Sequence, residues 1–270
     1  MTKTIYSVVI RTKDSARTIK DCINSLLEQE VPPNEIIIVD SGSSDNTLDV
    51  ISEFEICKVV YYPFDGPFNY SKSLNIGIKE ATEELILNFS SHCILKHSNT
   101  TKLMIDFLEE NKMALAVSLG GAQNEKREVC KPRTQQTMSY ELINRYNFKG
   151  HAMNNPCALL YKKHWRERPF NENYDRAEDQ EWAHYWITKD NYFTAIIMQP
   201  SLIYDNRNFG RDKVAMDLLT LGKELHPYYR SNLFFFRLVW SLKFFSSENT
   251  NNYRLLMKLL YFKYFSRKKY

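Results

Sequence analysis

The side chains best suited to chemistry in this chain stand in short polar clusters just after apolar runs. Asp40 closes the run Ile36-Ile-Ile-Val39 and opens Ser41-Gly-Ser-Ser-Asp45-Asn-Thr47, a tight glycine turn leading into a new helix. A carboxylate at such a strand end can accept hydrogen bonds from a base or a ribose, and amides around Gly42 to Ser44 can approach a polar ligand. The same residues would also serve as a plain connecting turn with Asp45 as N-cap. Glu178 and Asp179 are adjacent carboxylates at the start of a predicted helix. A carboxylate placed beside a hydroxyl can take its proton, although acids in a first helical turn also meet the helix dipole without any catalytic duty. His92 follows the run Leu85 to Phe89. There an imidazole can be a ligand, a cation or a rim residue bonded to backbone. Neither GxGxxG nor the GxxxxGK-Ser/Thr loop occurs, which argues against dinucleotide and P-loop enzymes.

The elements that must carry these residues follow from periodicity. Tyr6 to Ile10, Glu35 to Val39, Lys58 to Tyr62, Leu85 to Phe89 and Ala114 to Leu119 are short runs that read as strands. Between them, Ile19, Cys22, Ile23, Leu26 and Leu27 recur at helical spacing, with Pro32-Pro33 read as the stop. Helices are also predicted over 47–54, 71–81 and 98–110. Strand and helix in alternation mean a mostly parallel, Rossmann-like α/β sheet with helices on both faces. Ligands of such sheets bind at the carboxyl ends of the strands. The segments 11–14, 40–45 and 90–93 are therefore the places for a site. After Gly120 the pattern changes. A loop is predicted over 122–132, a helix over 138–145, strands over 157–161, 193–197 and 201–204, and a helix over 178–187.

With 270 residues, 43% apolar and 25% charged, the chain can fold one large core, and its composition excludes a disordered or collagen-like polymer. Its five cysteines are odd in number and show no CxxC spacing, so they read as reduced thiols. From His226 onward nine Lys and Arg face one acid, Glu248, within an overall net charge of +4; a mildly acidic body thus carries a basic tail. No zinc-finger, RNP-type or basic-zipper pattern accompanies that tail, so no nucleic-acid partner is expected. The first residues lack the apolar span of a signal peptide, and no window of eighteen uncharged apolar residues occurs. The expectation is a cytoplasmic protein, peripheral on the inner face of the membrane.

Several blocks together resemble family 2 glycosyltransferases, which have the GT-A fold. They are Ser7-Val-Val-Ile-Arg-Thr-Lys-Asp14, Glu35 to Thr47, Phe68-Asn-Tyr-Ser-Lys-Ser-Leu-Asn-Ile-Gly77 and Ala177-Glu-Asp-Gln-Glu-Trp182. The resemblance spans about residues 5 to 207, and the joint order is far more specific than any one block. It implies that Thr12, Asp14 and Asp40 hold a nucleoside and that Lys72 faces the diphosphate. It also implies that Asp179 is the catalytic base, with Glu178 meeting the acceptor; Trp182, one turn on, could stack on a sugar face of the acceptor or equally be core. The chain departs from the family at Phe89-Ser-Ser-His-Cys93, where Ser90 and His92 replace the usual Asp-x-Asp. A Ser-x-His-Cys variant is similar to some bacterial surface-polysaccharide and rhamnosyltransferase-like members.

That departure bears on the cofactor. His92, with Asp205 in Leu202-Ile-Tyr-Asp-Asn-Arg207, could hold a divalent cation, and an imidazole suits Mn²⁺ better than Mg²⁺. A protonated His92, helped by Arg207, would instead neutralise the leaving diphosphate without metal. The resemblance thus implies an inverting transferase, with a UDP-sugar donor ahead of a dTDP-deoxysugar and a glycan or lipid-linked glycan acceptor. A catalytically inactive nucleotide- or glycan-binding module is the alternative.

The expected organisation is a catalytic domain over 1–209 and a helical, aromatic, basic segment over 210–270. Lys and Arg interleave with Phe, Trp and Leu through 233–245 and 253–265. Such segments suit an anionic membrane surface. A hairpin packed on the body or on a second copy in a homo-oligomer would look the same.

Overall fold

The computed structural model describes residues 5–64, 68–120, 139–148, 151–174, 177–198 and 202–204. The β-branched runs form strands in the predicted order. β1 (Tyr6–Thr12), β2 (Glu35–Asp40), β3 (Cys57–Tyr61) and β4 (Leu85–Ser90) lie parallel in the order β3-β2-β1-β4. Beyond β4 the sheet becomes mixed. β8 (Cys157–Tyr161) runs antiparallel between β4 and β6 (Ala114–Leu119). β9 (Phe193–Ile197) then pairs parallel with β6, and β7 (Tyr140–Ile143) closes the edge antiparallel to β9. β5 (Cys93–Leu95) and β10 (Leu202–Tyr204) form a separate antiparallel pair.

Alternate residues of the central strands point into two cores. Val8, Ile10, Ile36 and Ile38 meet Ile19, Cys22, Ile23 and Leu26 of α1 (Ile19–Leu27), Ile51 of α2 (Thr47–Ser52) and Met104 and Leu108 of α4 (Thr100–Glu110). Val9, Ile37 and Ile86 face the opposite layer. It is built from α3 (Tyr70–Glu80), α5 (Lys162–Glu167) and α6 (Glu178–Lys189). Helix α3 approaches so closely that a Cβ on Gly77 would collide with Val9 Cγ1 and lie 2.9 Å from Val39 Cγ2. This is the GT-A arrangement, and it aligns the carboxyl ends of β1, β2 and β4 along one rim.

Three local expectations change. The helix predicted over 138–145 is an edge strand in its described part, because pairing with β9 and the stacking of Tyr140 on Phe107 at 4.4 Å outweigh its polar, helix-compatible pattern. Helix α1 stops at Leu27, five residues before Pro32, where Gln29 turns back and its Nε2 donates to Ser25 O and His97 O. The strand predicted over 201–204 leaves the main sheet to pair with β5, a three-residue strand too short to show a period. Helix α5, six residues long, is a further element that periodicity does not reveal.

Candidate active site

Three loops follow β1, β2 and β4, and their own short polar side chains lace them together. Ser41 N–H donates to Thr12 O at 3.0 Å, and Asp14 N–H donates to Ser43 Oγ at 2.9 Å. In return, Asp14 Oδ1 accepts from Ser44 N–H at 2.7 Å. Asp45 accepts from Ala16 N–H at 3.1 Å, and Thr47 Oγ1 accepts from Ser15 N–H at 2.7 Å. The hydroxyls of Ser15 and Ser91 meet at 2.9 Å, which brings in the loop after β4. The lacing has a conformational cost: Asp14 sits at φ 48°, a left-handed conformation that a short polar side chain bonded to its own surroundings tolerates best. The Ser44 N–H, foremost, holds the Asp14 carboxyl below its usual range. For Asp45, burial pushes upward but is outweighed by hydrogen bonds from Thr47 and Ala16.

Asp40 is fully buried, and its neighbours already occupy its oxygens. Oδ2 accepts from Gly42 N–H at 3.0 Å and from Ser43 N–H at 2.9 Å, while Oδ1 accepts from the Ser43 hydroxyl. Gly42 makes this possible at φ 87°, where a side chain would be strained. Asp40 therefore shapes the turn in this structure. The atoms at the rim with unmet capacity are Thr12 Oγ1 and Ser41 Oγ, both buried with no hydrogen-bond partner among the described residues. Such groups are costly unless something completes them.

Helix α6 delivers its first turn to this rim. Glu178 Oε1 pairs with Arg11 Nη1 of β1 at 3.2 Å and accepts from Asn155 Nδ2 at 2.9 Å. Asp179 lies alongside, part-buried, with Oδ1 accepting from Gln180 N–H at 2.8 Å and Oδ2 from Asn155 N–H at 3.1 Å. Burial and then the neighbouring Glu178 charge lift the Asp179 carboxyl from 3.8 to about 7, against the pull of those two N–H groups and Arg11. A carboxylate with that proton affinity can take a proton near neutral pH. Ala177, just before the pair, adopts φ 61°, unusual for a residue other than glycine and a sign of a constrained helix entrance.

Lys72 lies in the first turn of α3, whose N-cap Asn69 accepts from the Lys72 N–H at 2.8 Å. Its ammonium stands 5.3 Å from the Tyr62 ring centroid, and the Tyr62 hydroxyl raises its pKa. Tyr62 N–H donates to Asp40 O at 2.8 Å, so Lys72 also belongs to the rim. Ser90 ends β4 and His92 is half-buried in the turn to β5. Asp205 and Arg207 lie outside the described residues, as does the whole segment 210–270. Among the described residues no three His, Cys, Asp or Glu side chains gather as metal ligands would. A serine and one imidazole, without a carboxylate, do not by themselves fit a divalent cation.

The sequence profile described as glycosyl transferase family 2 matches residues 7–169. The chain belongs to this family. Poly-beta-1,6-N-acetyl-D-glucosamine synthase from Staphylococcus epidermidis is 29% identical over 131 residues, covering 47% of this chain. The chain spans only 31% of the length of that relative. Among solved structures, S. aureus TarS 1-349 in complex with UDP-GlcNAc superposes with TM-score 0.56 at 18% identity over 96% of this chain and 72% of that one. The mannosyltransferase PcManGT from Pyrobaculum calidifontis, in complex with GDP-Man and Mn²⁺, reaches 0.57 at 14% identity, covering 95% of this chain and 69% of its own. These likenesses show the fold.

Within this family member, the structure gathers Thr12, Asp14, Asp40, Lys72, Glu178 and Asp179 around one rim, with Ser90 at the end of β4 and His92 in the turn that follows it. Trp182 departs from expectation. It is fully buried, donates its indole N–H to Arg168 O at 2.7 Å and packs against Phe170 and Trp186, so its ring is core and offers no face to an acceptor. Sequence reading also missed Arg11 and Asn155. Arg11 stands one residue before Thr12 in a segment already marked for attention, but its partner Glu178 is 167 positions away. Asn155 precedes β8 in an unpatterned Asn-Asn-Pro stretch and carries no periodic signal.

Proposed function

We propose that this chain transfers one sugar, with inversion, from a nucleotide-sugar donor to a hydroxyl of a cell-surface glycan. The observation that carries the reading is Asp179, a carboxylate of raised proton affinity fixed at the strand ends of a family 2 fold. The acceptor oxygen attacks the anomeric carbon opposite the nucleoside diphosphate. The new carbon–oxygen bond forms as the bond to phosphate breaks, and the hydroxyl proton passes to Asp179. Thr12 and Ser41 would give their unpartnered hydroxyls to the nucleoside, and Lys72 and His92 would face the developing charge on the diphosphate. The relatives support the substrate class: solved TarS structures hold UDP and UDP-GlcNAc, and the mannosyltransferase from Pyrobaculum calidifontis holds GDP-Man with Mn²⁺. A UDP-sugar is the first donor to test and a dTDP-deoxysugar the second.

Thermal unfolding of the full chain against UDP, dTDP and GDP, each with and without Mn²⁺, tests the donor site. Stabilisation by one diphosphate without metal would support the cationic role of His92. Stabilisation only with Mn²⁺ would point to a cation held with help from Asp205 or the phosphates themselves. No response to any diphosphate would overturn the reading. A second reading, a binding module without turnover, draws on Ser90 and His92 standing where the family carries Asp-x-Asp. Slow hydrolysis of a bound donor separates the two, since only the enzyme releases free sugar.

The tail bears on where the reaction would occur. No described helix is long and apolar enough to cross a membrane. The basic, aromatic segment 210–270 would hold the chain at an anionic surface, beside a lipid-linked acceptor.

A further inference from the structure

The two carboxylates that open α6 are held very differently. Both donors to Glu178 converge on one oxygen: Arg11 Nη1 at 3.2 Å and Asn155 Nδ2 at 2.9 Å, both aimed at Oε1. The ion pair is well buried, with 11% of the Arg11 side chain and 5% of the Glu178 side chain exposed. Arg11 is fixed from its other side by Tyr70, whose ring centroid lies 4.8 Å from the guanidinium carbon. Among the described residues, Asp179 receives only backbone N–H groups, from Asn155 and Gln180.

Asn155 is also held from β4. Asn88, fully buried on β4, donates its Nδ2 to Asn155 Oδ1 at 3.0 Å. With its oxygen so engaged, the Asn155 amide must present its NH₂ to Glu178. One residue thus grips both acids, Glu178 by side chain and Asp179 by main chain. Among the described residues, the charges acting on Asp179 are Glu178 beside it and Arg11 across from β1. Glu181, further along α6, is taken up by Arg168.

Two neighbouring carboxylates in a desolvated setting do not ionise equally, and the one that holds the cation keeps its charge. We infer that Arg11 and Asn155 are positioning residues that steer the proton of this carboxylate pair onto Asp179 by holding Glu178 as the anion. The pair then contains a permanent anion and a neighbouring acid that gains and loses the proton. This deepens the proposed function and rests on Asp179 being the base. Neither side chain touches Asp179; each acts through Glu178 at the head of α6.

The test is a carboxyl-carbon NMR titration of the full chain labelled with ¹³C in Asp and Glu, which needs no substrate. In the wild type, the Asp179 carbon should report the upper protonation step while the Glu178 carbon stays at its anionic shift. In Arg11→Gln that step should move up by about one pH unit and appear on both carbons. Arg11→Lys, which keeps the cation, should restore a step confined to Asp179. Asn88→Leu, which frees the Asn155 amide while leaving Arg11 in place, should also bring Glu178 into the step and decides the matter if Arg11→Gln does not fold. A wild-type upper step carried by Glu178, or a Glu178 carbon silent through that step in both Arg11→Gln and Asn88→Leu, would overturn the inference. If instead the titration runs as described but Asp179→Asn still transfers sugar at the parent rate, the base assignment fails and the steering stands.

Discussion

Replacing Asp179 by asparagine should cost activity and, relative to the parent, raise stability as pH rises, and the size of each effect follows from the site. The folded protein holds this carboxyl at about 7 against an ordinary 3.8. Its anion is therefore disfavoured by roughly 4 kcal/mol relative to the unfolded chain, at about 1.4 kcal/mol per pH unit. A carboxyl whose pKa is raised by folding binds its proton more tightly in the native state. Its contribution to stability is therefore full in acid and is lost as pH rises through 7. Asparagine does not titrate, so the stability of Asp179→Asn relative to the parent should grow by up to ~4 kcal/mol between pH 4 and pH 8. Against this stands one hydrogen bond, because the amide can accept from only one of the N–H groups of Asn155 and Gln180 and must turn its NH₂ toward the other. That mismatch costs about 1–3 kcal/mol at every pH. The variant should thus be slightly less stable than the parent at pH 4 and more stable at pH 8, with the curves crossing between. Urea unfolding of both proteins at four or five pH values measures this directly. Sugar transfer should meanwhile fall by about 10²–10⁴-fold with nucleotide binding retained. A stability difference that stays flat from pH 4 to pH 8 would refute the reasoning, whatever happens to turnover.

Other perturbations test the scaffold and the tail. Gly77→Ala should lower stability by about 1–3 kcal/mol in urea unfolding, because the added methyl runs into Val9 and Val39 where α3 rests on the sheet. Asp45→Ala should cost about 1 kcal/mol and weaken nucleoside-diphosphate binding, since it unties Ala16 and Thr47 from the loop after β2; unchanged binding would mean the lacing does not shape the donor site. Truncation after Leu225 should release the protein from anionic vesicles in a flotation assay, whereas equal binding would assign the basic tail a different surface.

Much of the fold is readable because the central strands are buried on both faces and the helices on one. Ile36 to Val39 can be little else than an interior strand, and the spacing from Ile19 to Leu27 can serve only a helix lying on it. The reading weakens beyond β6. Tyr140 to Ile143 is an edge strand with a single fully buried residue, so it carries no clean alternation. Trp182 looked available because aromatic residues near an acidic pair can serve a ligand or a core equally. Only the packing of Phe170 and Trp186 decides between them.

The site divides along the same line. The strand-end positions of Asp14, Asp40 and Ser90 follow from local order, so sequence places them at a rim without saying whom they meet. Asp40 proves to be bonded by its own loop, a short-range outcome that turn chemistry explains afterwards, whereas Asp45 bonds both its own loop and Ala16 of the loop after β1. The long-range contacts are different in kind. β8 reverses direction between β4 and β6, so the Asn155 segment that precedes it returns to the carboxyl end of β4, where Ser90 N–H donates to Pro156 O at 3.1 Å. Asn155 in turn receives the first turn of α6, and Arg11 closes the ring from β1. The proton affinity of Asp179 is raised by burial and by Glu178 beside it, which the local sequence shows, and is held in check by Asn155 and Arg11, distant partners that only the topology of the sheet brings to it.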